Sequence, residues 1–151
     1  MVESSAFLLA RLGRVASRQL TEELLGTGLK PSQASILILL RDLGPMSQQA
    51  LGERLHVDPS NLVAFLNALE GEGLLVRKRD PSDRRRHIVE ITPQGIKRAP
   101  GCDECVVALE DQLFAGLSAE DREHLHRMLA QVLETMALEE PSSANGDEDF
   151  D

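Results

Sequence analysis

Tryptophan and tyrosine are absent from this 151-residue sequence, and phenylalanine occurs four times. A core must therefore be built from Leu, Val, Ile, Ala and Met, a palette that suits helices better than a large sheet. Cysteine is nearly absent: Cys102 and Cys105 are too few for a disulfide framework and agree with a reducing compartment. Long hydrophobic runs are missing as well. Near the N-terminus the apolar stretch Ala6 to Ala10 is short and follows acidic Glu3, which argues against a secretory signal or a membrane span and for a cytoplasmic protein. No nucleophile elbow, phosphate-cradling glycine loop or paired zinc-ligand motif occurs, so neither an enzyme nor a cofactor is expected. His124 and His126 lie two positions apart on an expected helix and face different ways, which is poor geometry for a shared metal.

What is present in excess is negative charge, with a net charge of −9. That balance alone disfavours a phosphate-rich partner, but its distribution reverses the impression. From Arg77 to Arg98 eight basic residues stand against three acidic ones, a local +5, so the remainder carries −14. Such a dipolar chain can turn one basic face toward a polyanion while the rest repels it, which favours a defined orientation.

Leu9, Leu12, Ala16, Leu20 and Leu24 recur at helical steps, so Ser5 to Leu25 reads as an amphipathic helix ended by Gly26 and Gly28. A second helix, Ser32 to Leu43, starts on Ser32 as cap and stops at Gly44-Pro45. Ser47 caps a third, Gln48 to Leu55, in which Ala50 and Gly52 leave room for a close neighbour. After the tight turn His56-Val57, Asp58-Pro59 opens a fourth helix running to about Glu72. Its apolar side is Leu62, Phe65, Leu66 and Leu69, and the opposite side, Ser60, Asn61, Ala64, Asn67 and Ala68, is small and polar. Gly73 ends it. Two short runs, Leu74 to Arg79 and His87 to Ile91, flank the loop Asp80-Pro81-Ser82-Asp83-Arg84-Arg85-Arg86 and read as a β-hairpin. Thr92-Pro93 begins a further helix that Pro100-Gly101 should kink or interrupt, and Ser118 with Asp121 marks the last, carrying Leu125, Met128, Leu129, Val132 and Met136. The segment from Glu139 to Asp151, with six acidic and no basic residues, reads as a solvated tail.

Two helices joined by a short turn, the second with a small polar outer face, fit a major groove about 12 Å wide. A hairpin tip with three consecutive arginines supplies cations for phosphates or for the narrow minor groove. The candidate DNA-binding residues are therefore Ser47 and Gln48, Ser60, Asn61, Ala64 and Asn67, and Arg77, Asp83, Arg84, Arg85 and Arg86 in the hairpin.

The order helix, turn, helix, Gly, strand, Asp-Pro-Ser-Asp-Arg-Arg-Arg, strand, Thr-Pro-Gln-Gly resembles the MarR family of multiple-antibiotic-resistance-type regulators. The resemblance rests on Leu69 with Gly73-Leu74-Leu75-Val76-Arg77, on Asp80 to Arg85, and on Ile91-Thr92-Pro93-Gln94-Gly95, and it spans nearly the whole chain. It implies a mainly α, winged helix-turn-helix protein whose helical dimerisation region comes from both chain ends, divided into residues 1–30 (dimerisation helix), 31–92 (DNA-binding domain), 93–138 (dimerisation helices) and 139–151 (acidic tail). It also implies a homodimer on a pseudo-palindromic double-stranded DNA operator, usually as a repressor, released by a small anionic aromatic effector. Asp83 and Arg85 match the family's wing pair, in which the acid orients an arginine that enters the minor groove. Ser60 and Asn61 match groove-facing positions, whereas Ala64 and Ala68 depart from the polar or basic residues common there, so the wing arginines should carry more of the binding.

Blander readings accompany each feature. The arginine loop can be a solvated turn, and Ser60 and Asn61 can serve the helix start alone. Cys102 and Cys105 continue the stripe of Val106, Leu109 and Leu113 and so read first as small hydrophobes, with a thiol redox switch as the sharper alternative. A winged module used mainly for protein association is the remaining alternative.

Overall fold

The computed structural model describes Met1 and residues 3–139, and the chain divides into two units, Met1–Leu113 and Phe114–Asp151. In the first unit α1 spans Ser5–Glu23, with the Ser4 hydroxyl accepting the Phe7 amide at the start. The expected single helix to Leu25 instead tightens into a 3-10 turn, Leu24–Thr27, which Gly28 ends at φ 73°. Only a residue without a Cβ takes that left-handed conformation freely, which is what the glycine supplies.

Helix α2 spans Pro31–Leu43. Ser32 is not its cap: Lys30 occupies that position, its amide donates to Gln33 Oε1 at 2.9 Å, and Pro31 fills the first helical site, where a missing N–H loses nothing. Strand β1 (Met46–Ser47) and helix α3 (Gln48–Leu55) follow, then α4 (Pro59–Gly71), β2 (Leu75–Arg79), β3 (His87–Ile91) and α5 (Pro93–Leu113). The sheet has three strands in the order β1-β3-β2, all antiparallel. Leu75 faces Ile91 and Arg79 faces His87, and the expected hairpin thus gains a third strand, with Met46 opposite Val89. Two residues are too short to show a period of two, which is why β1 is invisible to pattern.

Leu24, Ile36, Leu37, Leu40, Leu51, Leu66, Leu69, Leu75, Val89 and Cys102 are the fully buried centre. They come from the 3-10 turn, α2, α3, α4, both hairpin strands and α5, so one core holds all of these elements in place. Of the kink or interruption expected at Pro100, the interruption does not occur: α5 is continuous through it. The ring's fixed φ suits a helix, and the one bond it removes, to the Ile96 carbonyl, falls on a side where both residues are exposed and water can replace it.

The second unit carries α6, Ala119–Glu139. Ser118 Oγ accepts the Asp121 amide at 3.1 Å, and Arg122 Nε donates to the Phe114 carbonyl. The expected acidic tail lies outside the described residues beyond Glu139.

Candidate nucleic-acid interface

Helix α3 begins where Ser47 Oγ accepts the Ala50 amide at 3.1 Å, so that hydroxyl already serves the helix end. Gln48 is half-buried. The turn into α4 places His56 at φ 50°, in the left-handed region, and returns the Val57 amide to the Gly52 carbonyl at 3.1 Å. A Cβ on Gly52 would stand 3.1 Å from a Leu62 methyl, so the glycine sets how closely α3 and α4 approach.

Asp58 caps α4: its carboxylate accepts both the Ser60 amide and the Ser60 hydroxyl, and these bonds hold it below the usual carboxylate range. Ser60 is therefore engaged at the helix start as well as exposed. Leu62, Leu66 and Leu69 are buried and Phe65 is half-buried, while Asn61, Ala64, Asn67 and Ala68 are exposed, as the periodicity requires.

The hairpin loop is tied by its own carboxylates. Asp80 Oδ1 accepts the Ser82 amide and hydroxyl, Asp83 Oδ1 accepts the Arg85 amide at 3.0 Å, and backbone bonds close Asp80 to Arg86 and Arg86 to Asp83. Asp83 thus holds Arg85 by its main chain and leaves the guanidinium outward. Arg84, Arg85 and Arg86 are all exposed, and none forms an ion pair among the described residues.

Arg77 behaves differently from the loop arginines. Its Nη2 donates to Glu70 Oε1 at 3.1 Å and to Asn67 Oδ1, and its Nε and backbone amide reach Glu70 Oε2 at 3.5 and 3.0 Å. Two of the expected binding residues, Asn67 and Arg77, are brought together, and the third party, Glu70, is one that sequence reasoning missed. Its position at the edge of the α4 stripe carries no local sign of a partner seven residues on.

The Thr-Pro-Gln-Gly segment forms the joint between the wing and α5. Thr92 Oγ1 donates to the Gly73 carbonyl at 2.6 Å and accepts the Gly95 amide at 3.1 Å, while the Thr92 amide donates to the Leu74 carbonyl. Gly73 is left-handed at φ 74°, and a Cβ on Gly95 would overlap the Leu74 carbonyl and stand 2.6 Å from Ile91 Cγ1. Two further ties fasten α5: Arg98 donates to the Thr27 carbonyl, and Arg41 on α2 makes a two-point bond with Asp103. None of these long-range partners is visible in sequence.

Cys102 is fully buried, and Cys105 donates to the Glu23 carbonyl at 3.2 Å. Burial pushes both thiols up from their ordinary range, so at neutral pH both are protonated. Among the described residues no group of His, Cys, Asp or Glu is placed to hold a metal, and no helix is long and apolar enough to cross a membrane.

A helix-turn-helix closed by a three-stranded sheet, with a basic tip between β2 and β3, defines the winged-helix class of DNA-binding proteins. Residues 29–87 match the model of the MarR family. The chain is 32% identical over 124 residues to a putative transcriptional regulatory protein for the hcr operon of Thauera aromatica, covering 81% of this chain and 75% of that protein. It is similar to the transcriptional repressor CouR bound to a 23-mer DNA duplex, with 35% identity, a TM-score of 0.77 and coverage of 86% of this chain and 92% of that one. CouR from Rhodococcus jostii bound to p-coumaroyl-CoA aligns with a TM-score of 0.77 at 27% identity, over 87% of this chain and 92% of that one. The chain belongs to the MarR family: it is a DNA-binding transcriptional regulator and not an enzyme.

Proposed function

We propose that the protein is a homodimeric repressor that lays one α4 in each major groove of a pseudo-palindromic operator and sets the wing arginines into the flanking minor groove. The observation that carries this reading is the Arg77 bridge: it brings the base of the wing against Asn67 on the exposed side of α4, so both binding elements belong to one surface. Asn61, Ala64 and Asn67 then meet base edges, while Arg84, Arg85 and Arg86 meet backbone and minor groove. Self-association is supported by the apolar surface each chain end leaves open: Phe7, Leu8, Leu9 and Leu12 on α1, and Met128, Leu129, Val132, Leu133 and Met136 on α6 are all more than a third exposed. By its likeness to CouR with p-coumaroyl-CoA, release by an anionic ligand with an aromatic group is part of the proposal.

The test pairs light scattering of the pure protein with selection from a random duplex library. A dimer that enriches inverted repeats with half-sites about one helical turn apart supports the reading. A monomer, or no enrichment at physiological salt, overturns it.

A further inference from the structure

On the reading that α4 enters the major groove, we infer that this chain reads A·T base pairs there, through thymine methyl groups and adenine edges, and requires no guanine at the positions α4 faces.

The composition of α4 is the starting point. Pro59–Gly71 contains neither lysine nor arginine. At 100° per residue, Ala64 lies in the middle of the exposed arc, with Ser60 one turn before it and Asn67 and Ala68 one turn after it. The centre of the reading face is therefore a methyl group, and Ala68 adds a second beside it. Apolar side chains discriminate in the major groove by contact with the C5-methyl of thymine. Asn61 is exposed, and its side-chain amide makes no hydrogen bond among the described residues, so it offers the donor and acceptor pair that matches N7 and N6 of adenine.

Guanine is ordinarily read by a guanidinium or ammonium group reaching O6 and N7 together. Among the described residues the arginine bonded to this helix is Arg77, and its fork is already engaged. Both Nη2 protons are committed, to Glu70 Oε1 and Asn67 Oδ1, and the Nε proton points at Glu70 Oε2. Only Nη1 is left, so the pair of parallel N–H groups on adjacent nitrogens, by which a guanidinium grips O6 and N7 side by side, is not available. The Glu70 carboxylate also balances the charge that would draw Arg77 toward the electronegative guanine edge. The wing arginines are outside this limit, because they sit on the hairpin loop and not on α4.

The experiment uses the full-length protein and a random-sequence duplex library, followed by a scan of the best selected duplex in which each thymine is replaced in turn by deoxyuridine, which removes only the methyl group. The expected result is a half-site whose α4-facing positions are A·T, with one or two deoxyuridine positions weakening binding about fourfold, the equivalent of one buried methyl. Selected half-sites with an obligatory guanine in the α4-facing block, or a scan in which no deoxyuridine weakens binding, would overturn the inference while leaving the regulator reading intact. Failure to select any inverted repeat would instead remove the regulator reading on which it stands.

Discussion

Arg77 on β2 and Glu70 on α4 are joined at both carboxylate oxygens, so the strand that leads into the hairpin loop is tied to α4. The side chains are 20% and 38% exposed, so solvent screens the pair, and Glu70→Gln should lower stability by about 1 kcal/mol and not by the several expected of a buried pair. The bonds from Arg77 hold the Glu70 carboxyl below its usual range. A depressed folded value means the stabilisation is present above the unfolded value and is lost as pH falls through the folded one. The gap between wild-type and Glu70→Gln urea midpoints should therefore close below about pH 4. A gap of the same size at every pH at which the protein stays folded would show that the bond contributes through shape rather than charge.

Gly95 and Gly101 lie on the same helix and make a controlled pair. A methyl on Gly95 meets the Leu74 carbonyl and Ile91, whereas one on Gly101 meets nothing within 4 Å. Gly95→Ala should destabilise by about 1–3 kcal/mol, since backbone cannot step aside. Gly101→Ala should be neutral or stabilise by up to about 1 kcal/mol, because a helix interior favours alanine over glycine. Thermal unfolding of both variants checks the contrast, and equal shifts would contradict it.

Arg85→Ala removes an outward guanidinium without touching the loop's internal bonds, which use only the Arg85 amide. Affinity for the selected operator should fall by about 1–3 kcal/mol, and the slope of log K against log salt should flatten by about 1. Fluorescence anisotropy across a salt series measures both. A folded variant with unaltered affinity and slope would leave the wing without its proposed part in binding.

Both thiols are pushed up by burial, so a disulfide reagent at pH 7–8 should modify the native protein more slowly than an ordinary free thiol. Cys105 should react before Cys102, which is fully covered until the chain unfolds. Rapid stoichiometric labelling of Cys102 in the folded protein would reopen the redox alternative.

Helix ends and turns were legible where the cap is local. Ser47, Asp58-Pro59 and Ser118 announce their helices because the groups they satisfy lie within three residues. The third strand was not legible, since Met46 and Ser47 are defined by Val89 and Ile88, more than forty residues away. Ser32 looked like a cap and Pro100 like a break because each is judged by residue type, while the outcome depended on Gln33 reaching back to Lys30 and on which side of α5 the proline falls. Within the candidate interface, the exposed side of α4 and the arginines of the wing follow from spacing and loop composition. That Arg77 is held by Glu70 and Asn67 does not, because it needs the chain to fold back.

The joint at Thr92 ties the chain just after α4 to the start of α5. With Gly95 seated against Leu74 and both Gly73 and Leu74 bonded to Thr92, there is no slack between the end of α4 and the first turn of α5. Packing this close leaves the end of α4 and the first turn of α5 to move as one piece, and any wider seat at position 95 would part them.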